Sequence, residues 1–220
     1  MPATINFYDP AVKASFDPDD EPDATLDNVL TWSDRTLEGR HDYIQHLFPL
    51  PERSPVNPDA PIITKQVRDA FLQQPELRQN LRKAFGRMCS FYGMKYENET
   101  DEPTIRKGTT FDDNAEQTWL TSSDHNHLRI TRIIRCMRLL GLETEARKFA
   151  LALLDADTRG VVSSTSATYW CRAALWPLQK PPSHPREGLV QWLSKDDESA
   201  EQTDDTAALD RHISRRRLNA

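Results

Sequence analysis

Apolar residues recur along this chain with a helical period rather than an alternating one. Leu77, Leu81, Phe85, Met88 and Tyr92 fall at steps of three or four, which puts them on one face of an amphipathic helix. Pro75 stands where that helix would start and Gly93 where it would end, positions that tolerate a missing N–H and a left-handed backbone respectively. Leu128, Ile130, Ile133, Ile134, Met137 and Leu140 make a second, wider stripe closed by Gly141, and Asp124 or Asn126 can cap its first turn. Shorter helical patterns cover residues 26–34, 40–48, 64–73, 112–120, 143–156 and 164–176. Strand-type alternation of Val and Ile is missing and hairpin dipeptides are scarce. The pattern predicts an all-α fold, a single multi-helix domain of about seven to eight helices.

Polar and proline-rich stretches set the limits of that domain. Residues 1–24 read as an acidic arm with Pro2, Pro10, Pro18 and Pro22, anchored by Phe7, Tyr8 and Phe16. The helical domain is expected over residues 25–178. Within it, Pro49, Pro51, Pro55, Pro58 and Pro61 punctuate a loop of about a dozen residues, a length often used for binding. Residues 179–220 read as a mostly disordered tail, because the polar run from Lys195 to Asp210 has too few apolar residues to offset the entropy of ordering. The run Arg211–Arg217 closes it as a basic end, either a localisation signal or a solvated tail.

Composition sharpens this division. Hydrophobic residues make up 37% of the 220, with a mean hydropathy of -0.70, yet five Trp, five Tyr and eight Phe can still build one core. Residues 1–24 hold six acids and one base, residues 179–220 hold eight acids and seven bases, and residues 25–178 hold 20 of each. The net charge of -6 therefore belongs to the ends. A neutral middle argues against a nucleic-acid binder. No apolar run is long enough to span a membrane and the N-terminus lacks a basic start and an apolar core, so an intracellular protein of cytoplasm or nucleus is expected. Cys89, Cys136 and Cys171 stand singly in apolar stretches, as reduced core thiols do.

Candidate chemistry is sparse. Gly-rich phosphate loops, a GxSxG elbow and HExxH are all absent, and no catalytic residue, cofactor or metal is assigned. His125 and His127 flank Asn126 behind Asp124, a spacing that could supply metal ligands but equally fits a polar helix N-terminus. His41 and Asp42 resemble an acid–base fragment, but neighbours on a helix point about 100° apart, so Asp42 is expected to pair with an arginine instead. The sharper feature is Arg129, Arg132, Arg135 and Arg138, spaced by three with no acid between Asp124 and Glu143. Such a stripe either pairs internally, with acids such as Asp42, Asp112, Asp113 or Glu116, or forms a docking face for an acidic peptide, the protein's own acidic arm or phosphate groups.

Three segments in order carry a resemblance to a known family. His41–Leu50, HDYIQHLFPL, resembles the HDYIQWLFPL signature of the opioid growth factor receptor conserved region; Phe91-Tyr92-Gly93 is similar to its FYG; Asn126–Ile133, running on to Leu140-Gly141-Leu142, resembles its NNLRITRI…LGL segment. His46 stands where the signature has Trp. The resemblance implies an all-helical, non-enzymatic domain whose vertebrate member is described as a receptor for an enkephalin opioid peptide, associated peripherally with the nuclear envelope. In the signature helix, Tyr43, Ile44, Leu47 and Phe48 are expected in the core, with Asp42, Gln45 and His46 at the rim and Pro49 as the stop. The expected ligand is a peptide or protein, held by Asp42, Gln45, His46 and the four arginines, with His41, Asn126 and Leu128 as signature positions. The alternative is an enzyme or binding protein for a phosphorylated or anionic small molecule, the arginines holding the anion and His41 or His125 acting as base.

Overall fold

A computed structural model of the chain describes residues 1–16, 24–54, 57–99, 102–183, 189–193 and 203–218. The acidic run 17–23, Pro55 and the first half of the polar run, residues 195–202, lie outside the described residues. The order is α1 (Ala3–Tyr8), α2 (Leu26–Thr31), α3 (Asp34–Gly39), α4 (Tyr43–Leu47), α5 (Lys65–Gln73), α6 (Pro75–Phe91), β1 (Met94–Glu97), β2 (Thr104–Lys107), α7 (Phe111–Thr118), α8 (His125–Leu139), α9 (Glu143–Ala156), α10 (Ser164–Leu175) and α11 (Asp204–Leu218), with a 3-10 turn at Gln191–Leu193 before the last. The fold is all-α. No described helix is long and apolar enough to cross a membrane.

The two long stripes form the centre. Leu77, Leu81, Phe85 and Met88 of α6 are all buried, as are Ile130, Ile133, Ile134 and Met137 of α8. Pro75 opens α6, and Gly93 follows its end with φ +76. α8 packs between α9 and α10, while α1, α2 and α5 close over α6. Phe7 and Tyr8 of the first helix belong to this core, and Phe16 packs against it. The Tyr8 hydroxyl donates to the Leu47 carbonyl, and Asn80 Nδ2 donates to the Tyr8 carbonyl at 2.8 Å, so the acidic arm begins with a helix seated between α4 and α6.

Several elements differ from the sequence pattern. Residues 26–34 hold one helix and the start of another, because Trp32 ends α2 and the Ser33 side chain caps α3 by accepting from Thr36 N–H. A two-stranded antiparallel hairpin, Met94 opposite Lys107 through Glu97 opposite Thr104, replaces the purely helical expectation after Gly93. The C-terminal stretch contributes α11, which packs on α9 and α10 and buries Leu209 completely. Leu128 departs from its stripe: it is 65% exposed. Positions 128, 132 and 135 lie at i, i+4 and i+7, so Leu128 shares its face with Arg132 and Arg135 rather than with Ile130 and Ile133.

Candidate functional site

Four segments surround a groove of about 1240 Å³. One wall is the signature helix, with His41, Asp42, Ile44 and Gln45; the facing wall is α8, with His125, Leu128, Arg129, Arg132 and Arg135. The proline-rich loop closes one end with Leu50, Glu52 and Arg53, and Tyr169 of α10 with Pro181 and Pro182 closes the other. Leu50 is pinned by a bridge to Ile62, which folds the loop back beside α5.

α4 is short because Phe48 leaves helical geometry before Pro49. Tyr43, Ile44, Leu47 and Phe48 enter the core as expected from their spacing. Gln45 is also buried, with its amide nitrogen donating to the carbonyls of Asp42 and His41 at 3.0 and 3.1 Å. His46 faces away from the groove and stacks on Phe16 with ring centroids 4.5 Å apart, the place where a larger aromatic would serve the same packing. Asp42 pairs with Arg40, two residues away, rather than with a distant arginine, at 2.7 and 3.2 Å. That hydrogen bond to Arg40 holds the Asp42 carboxyl below its usual range, against the cost of partial burial.

The arginine stripe is not one face. A step of three residues turns a helix by 300°, so four such residues wind back through about 180° from first to last. Their targets follow from that. Arg129 donates to the Leu37 carbonyl at 3.0 Å and the Arg40 carbonyl at 2.8 Å, at the end of α3. Arg132 donates to the Phe48 carbonyl at the end of α4, at 3.1 Å. Arg138 donates to the carbonyls of Ala173 and Trp176 at the end of α10, at 3.1 and 2.8 Å. Arg135 reaches the Lys180 carbonyl at 2.8 Å and Glu52 at 2.5 Å. Helix ends carry unsatisfied carbonyls and partial negative charge, and guanidinium groups meet both needs. The carboxylates that join them are Glu38, Glu52 and Glu143, not Asp42, Asp112, Asp113 or Glu116. Arg138 lies outside the groove; Arg129, Arg132 and Arg135 line it.

Only Arg132 of the four has no carboxylate within 4.0 Å among the described residues. Burial pulls its pKa below the usual guanidinium value, which the nearby Glu52 charge opposes.

The histidines separate. His127 is buried, its Nε2 donating to the Trp119 carbonyl at 2.7 Å and its Nδ1 accepting from the Ser166 hydroxyl at 2.9 Å. His125 is partly exposed between Glu38 (3.2 Å) and Asp124 (3.4 Å), with the His41 ring 5.5 Å away. The ligand-type atoms of Glu38, Asp124 and His125 lie within 4.8 Å of one another. Both carboxylates are already used, Asp124 capping Asn126 N–H at 2.7 Å and Glu38 accepting from Asn126 Nδ2 at 3.0 Å. Sequence reasoning missed Glu52, Leu50 and Tyr169. The signal for Glu52 is an acid inside the loop that follows the signature helix.

Compared with known proteins, residues 2–173 match the family described as the opioid growth factor receptor (OGFr) conserved region. The mouse opioid growth factor receptor is 38% identical over 119 residues, covering 53% of this chain and 18% of the mouse protein. The human opioid growth factor receptor is 34% identical over 119 residues, 53% of this chain and 17% of its own length. The rat opioid growth factor receptor-like protein 1 is 32% identical over 108 residues, 49% of this chain and 22% of its own. The match thus spans about a fifth of each of these relatives. No solved structure matches the chain. The extent of the family match, over segments that build both walls of the groove, makes this chain a member of the opioid growth factor receptor conserved-region family.

Proposed function

We propose that this chain is a non-enzymatic binding module that takes a peptide segment of a ligand or partner protein in the groove between α4 and α8. The observation that carries the reading is Leu128, a leucine left 65% exposed on the α8 wall of a groove lined by the family's signature segments. A single exposed leucine is common on protein surfaces; this one supports a contact surface because it lines a groove beside half-buried Arg132 and Tyr169. The rim imidazoles are engaged structurally, His41 by Arg129 at 3.2 Å and His125 by two carboxylates, which supports binding over acid–base chemistry. The relatives' name points to an opioid peptide as the first ligand to try, and residence in the cytoplasm or nucleus, including peripheral association with the nuclear envelope, belongs to the same proposal.

The test is fluorescence anisotropy of labelled methionine-enkephalin titrated with the full chain, beside a scrambled peptide. Saturable binding to enkephalin alone, weakened roughly ten-fold or more by Leu128→Lys, is the expected result. Because Leu128 is exposed, that substitution leaves stability within about 0.5 kcal/mol. Affinity unchanged by Leu128→Lys would move the ligand out of the groove.

A further inference from the structure

The groove is electrically out of character with its protein. Its lining holds four arginines, Arg53, Arg129, Arg132 and Arg135, against two carboxylates, Asp42 and Glu52, whereas the chain as a whole carries -6. Arg53 and Arg132 hold the surplus, and of these two Arg132 is the one on the α8 wall beside Leu128. Glu52 is bonded to Arg135, Asp42 to Arg40, and Glu38 lies 4.0 Å from Arg129, so each nearby acid is already committed elsewhere. Arg132 spends one N–H on the Phe48 carbonyl and is half-buried, leaving further donors of a five-donor group without an acceptor among the described residues. The buried Nε of Arg135, on the same wall, also has no hydrogen-bond partner among the described residues. A partly desolvated guanidinium draws an anion more strongly than one in open water.

The same wall limits what that anion can be. Leu128 stands one helical turn before Arg132, and Ile44, Leu50 and Tyr169 line the same groove. A free phosphate would leave this apolar surface unused and would meet Asp42 and Glu52 at the rim. A single carboxylate carried between apolar side chains satisfies both halves.

Building on the groove reading above, we infer that the ligand is an extended peptide with an acidic side chain flanked by apolar ones, its carboxylate on Arg132 and an apolar neighbour on Leu128. An enkephalin has no acidic side chain, so on this inference it engages Leu128 but leaves Arg132 without a side-chain carboxylate, and it binds more weakly than a peptide with an internal Glu.

Three fluorescein-labelled peptides in one Gly/Ser frame test this with the full chain. The first has Leu-Glu-Leu and an amidated terminus, the second Leu-Gln-Leu and an amidated terminus, the third Leu-Gln-Leu and a free terminal carboxylate. The Glu peptide is expected to bind roughly ten-fold or more tightly than either Gln peptide. Arg132→Gln should bring it down to the Gln level, Arg132→Lys should retain part of the preference, and Leu128→Ser should weaken both amidated peptides. Arg132 also holds the end of α4, so the Glu-to-Gln comparison on unaltered protein carries the test should the variants unfold. Equal affinity for the Glu and Gln peptides would overturn the inference and leave the groove reading standing. A preference for the free terminus would assign Arg132 to chain ends instead. Displacement of the Glu peptide by millimolar inorganic phosphate would make this a small-anion site. Binding of none of the peptides would also overturn it, with the enkephalin titration deciding the groove reading separately.

Discussion

Asn126 shows how much one side chain can carry when every atom is used. It is completely buried, and its Nδ2 donates to Glu38 at 3.0 Å and to the Thr118 carbonyl at 3.2 Å. Its Oδ1 accepts from Arg129 at 3.3 Å and from the Tyr92 hydroxyl at 3.4 Å. Four elements, α3, α6, α7 and α8, therefore meet at one amide. A saturated buried network stabilises, while a network missing one member leaves desolvated groups without partners. Asn126→Ala should cost about 2–4 kcal/mol in thermal or urea unfolding. Asn126→Asp should cost more, since a carboxylate cannot donate to Glu38 or Thr118 and sets two acids together. A loss under about 1 kcal/mol for both would mean that the surrounding groups find other partners. In the sequence this residue is a signature position and a candidate helix cap, with nothing to show its partners. Its role depends on Glu38 and Tyr92, which are distant in the chain.

Among elements, the junction of α6 with the hairpin is the most tightly specified. Gly93 has φ +76, and a Cβ there would stand 2.8 Å from the Phe111 Cα, a backbone atom that cannot swing aside. Gly141 after α8 has φ +85, but its nearest obstacle is the end of the Leu72 side chain at 2.7 Å. Gly93→Ala should therefore destabilise by about 2–4 kcal/mol and Gly141→Ala by about 1–2 kcal/mol. Urea denaturation of the pair checks the order, and reversal would mean that Phe111 shifts more readily than Leu72.

The helix-ending role of both glycines was legible in the sequence, as were α6, α8, α9 and α10, because several turns of one period leave a strong pattern. The hairpin was not. Among the described residues its two four-residue strands pair only with each other, and they bury chiefly Met94. A sheet so small imposes no alternation on the sequence. Helices of six residues, such as α1 and α3, are likewise too short for a period, and among its described side chains α11 buries too little beyond Leu209 and Thr206 to show an apolar face. The groove was half legible: the signature helix and Arg129, Arg132 and Arg135 are in it, while Arg138 and His46 are turned elsewhere by helix rotation that spacing alone makes visible only once α8 and α4 have neighbours.

At the scale of the whole molecule, tyrosines tie the outer helices to the core. Tyr8 bonds the Leu47 carbonyl, Tyr92 reaches Asn126, and the Tyr43 hydroxyl lies 3.9 Å from the Met88 sulfur, so α1, α4, α6 and α8 share one set of buried phenols. Burial pushes the Tyr43 phenol from 10.0 up to about 12, and raises those of Tyr8 and Tyr92 well above their ordinary value. In the unfolded chain these phenols ionise near the ordinary 10.0. Above that pH the unfolded state holds fewer protons than the folded one, so stability falls as pH rises. The contribution of Tyr43 is therefore fully present below pH 10 and is lost between 10 and about 12. Stability by urea denaturation should be level through the neutral range and drop above pH 10, with each such phenol adding up to about 1.4 kcal/mol per pH unit to the slope. Tyr43→Phe keeps the ring and removes the titrating hydroxyl together with its contact to the Met88 sulfur. It should make the alkaline slope between pH 10.5 and 11.5 shallower by about one proton's worth while leaving stability at pH 7 within about 1 kcal/mol. An unchanged slope would show that Tyr43 reaches water before the molecule unfolds, and that α4, the inner wall of the groove, opens independently of the core behind it.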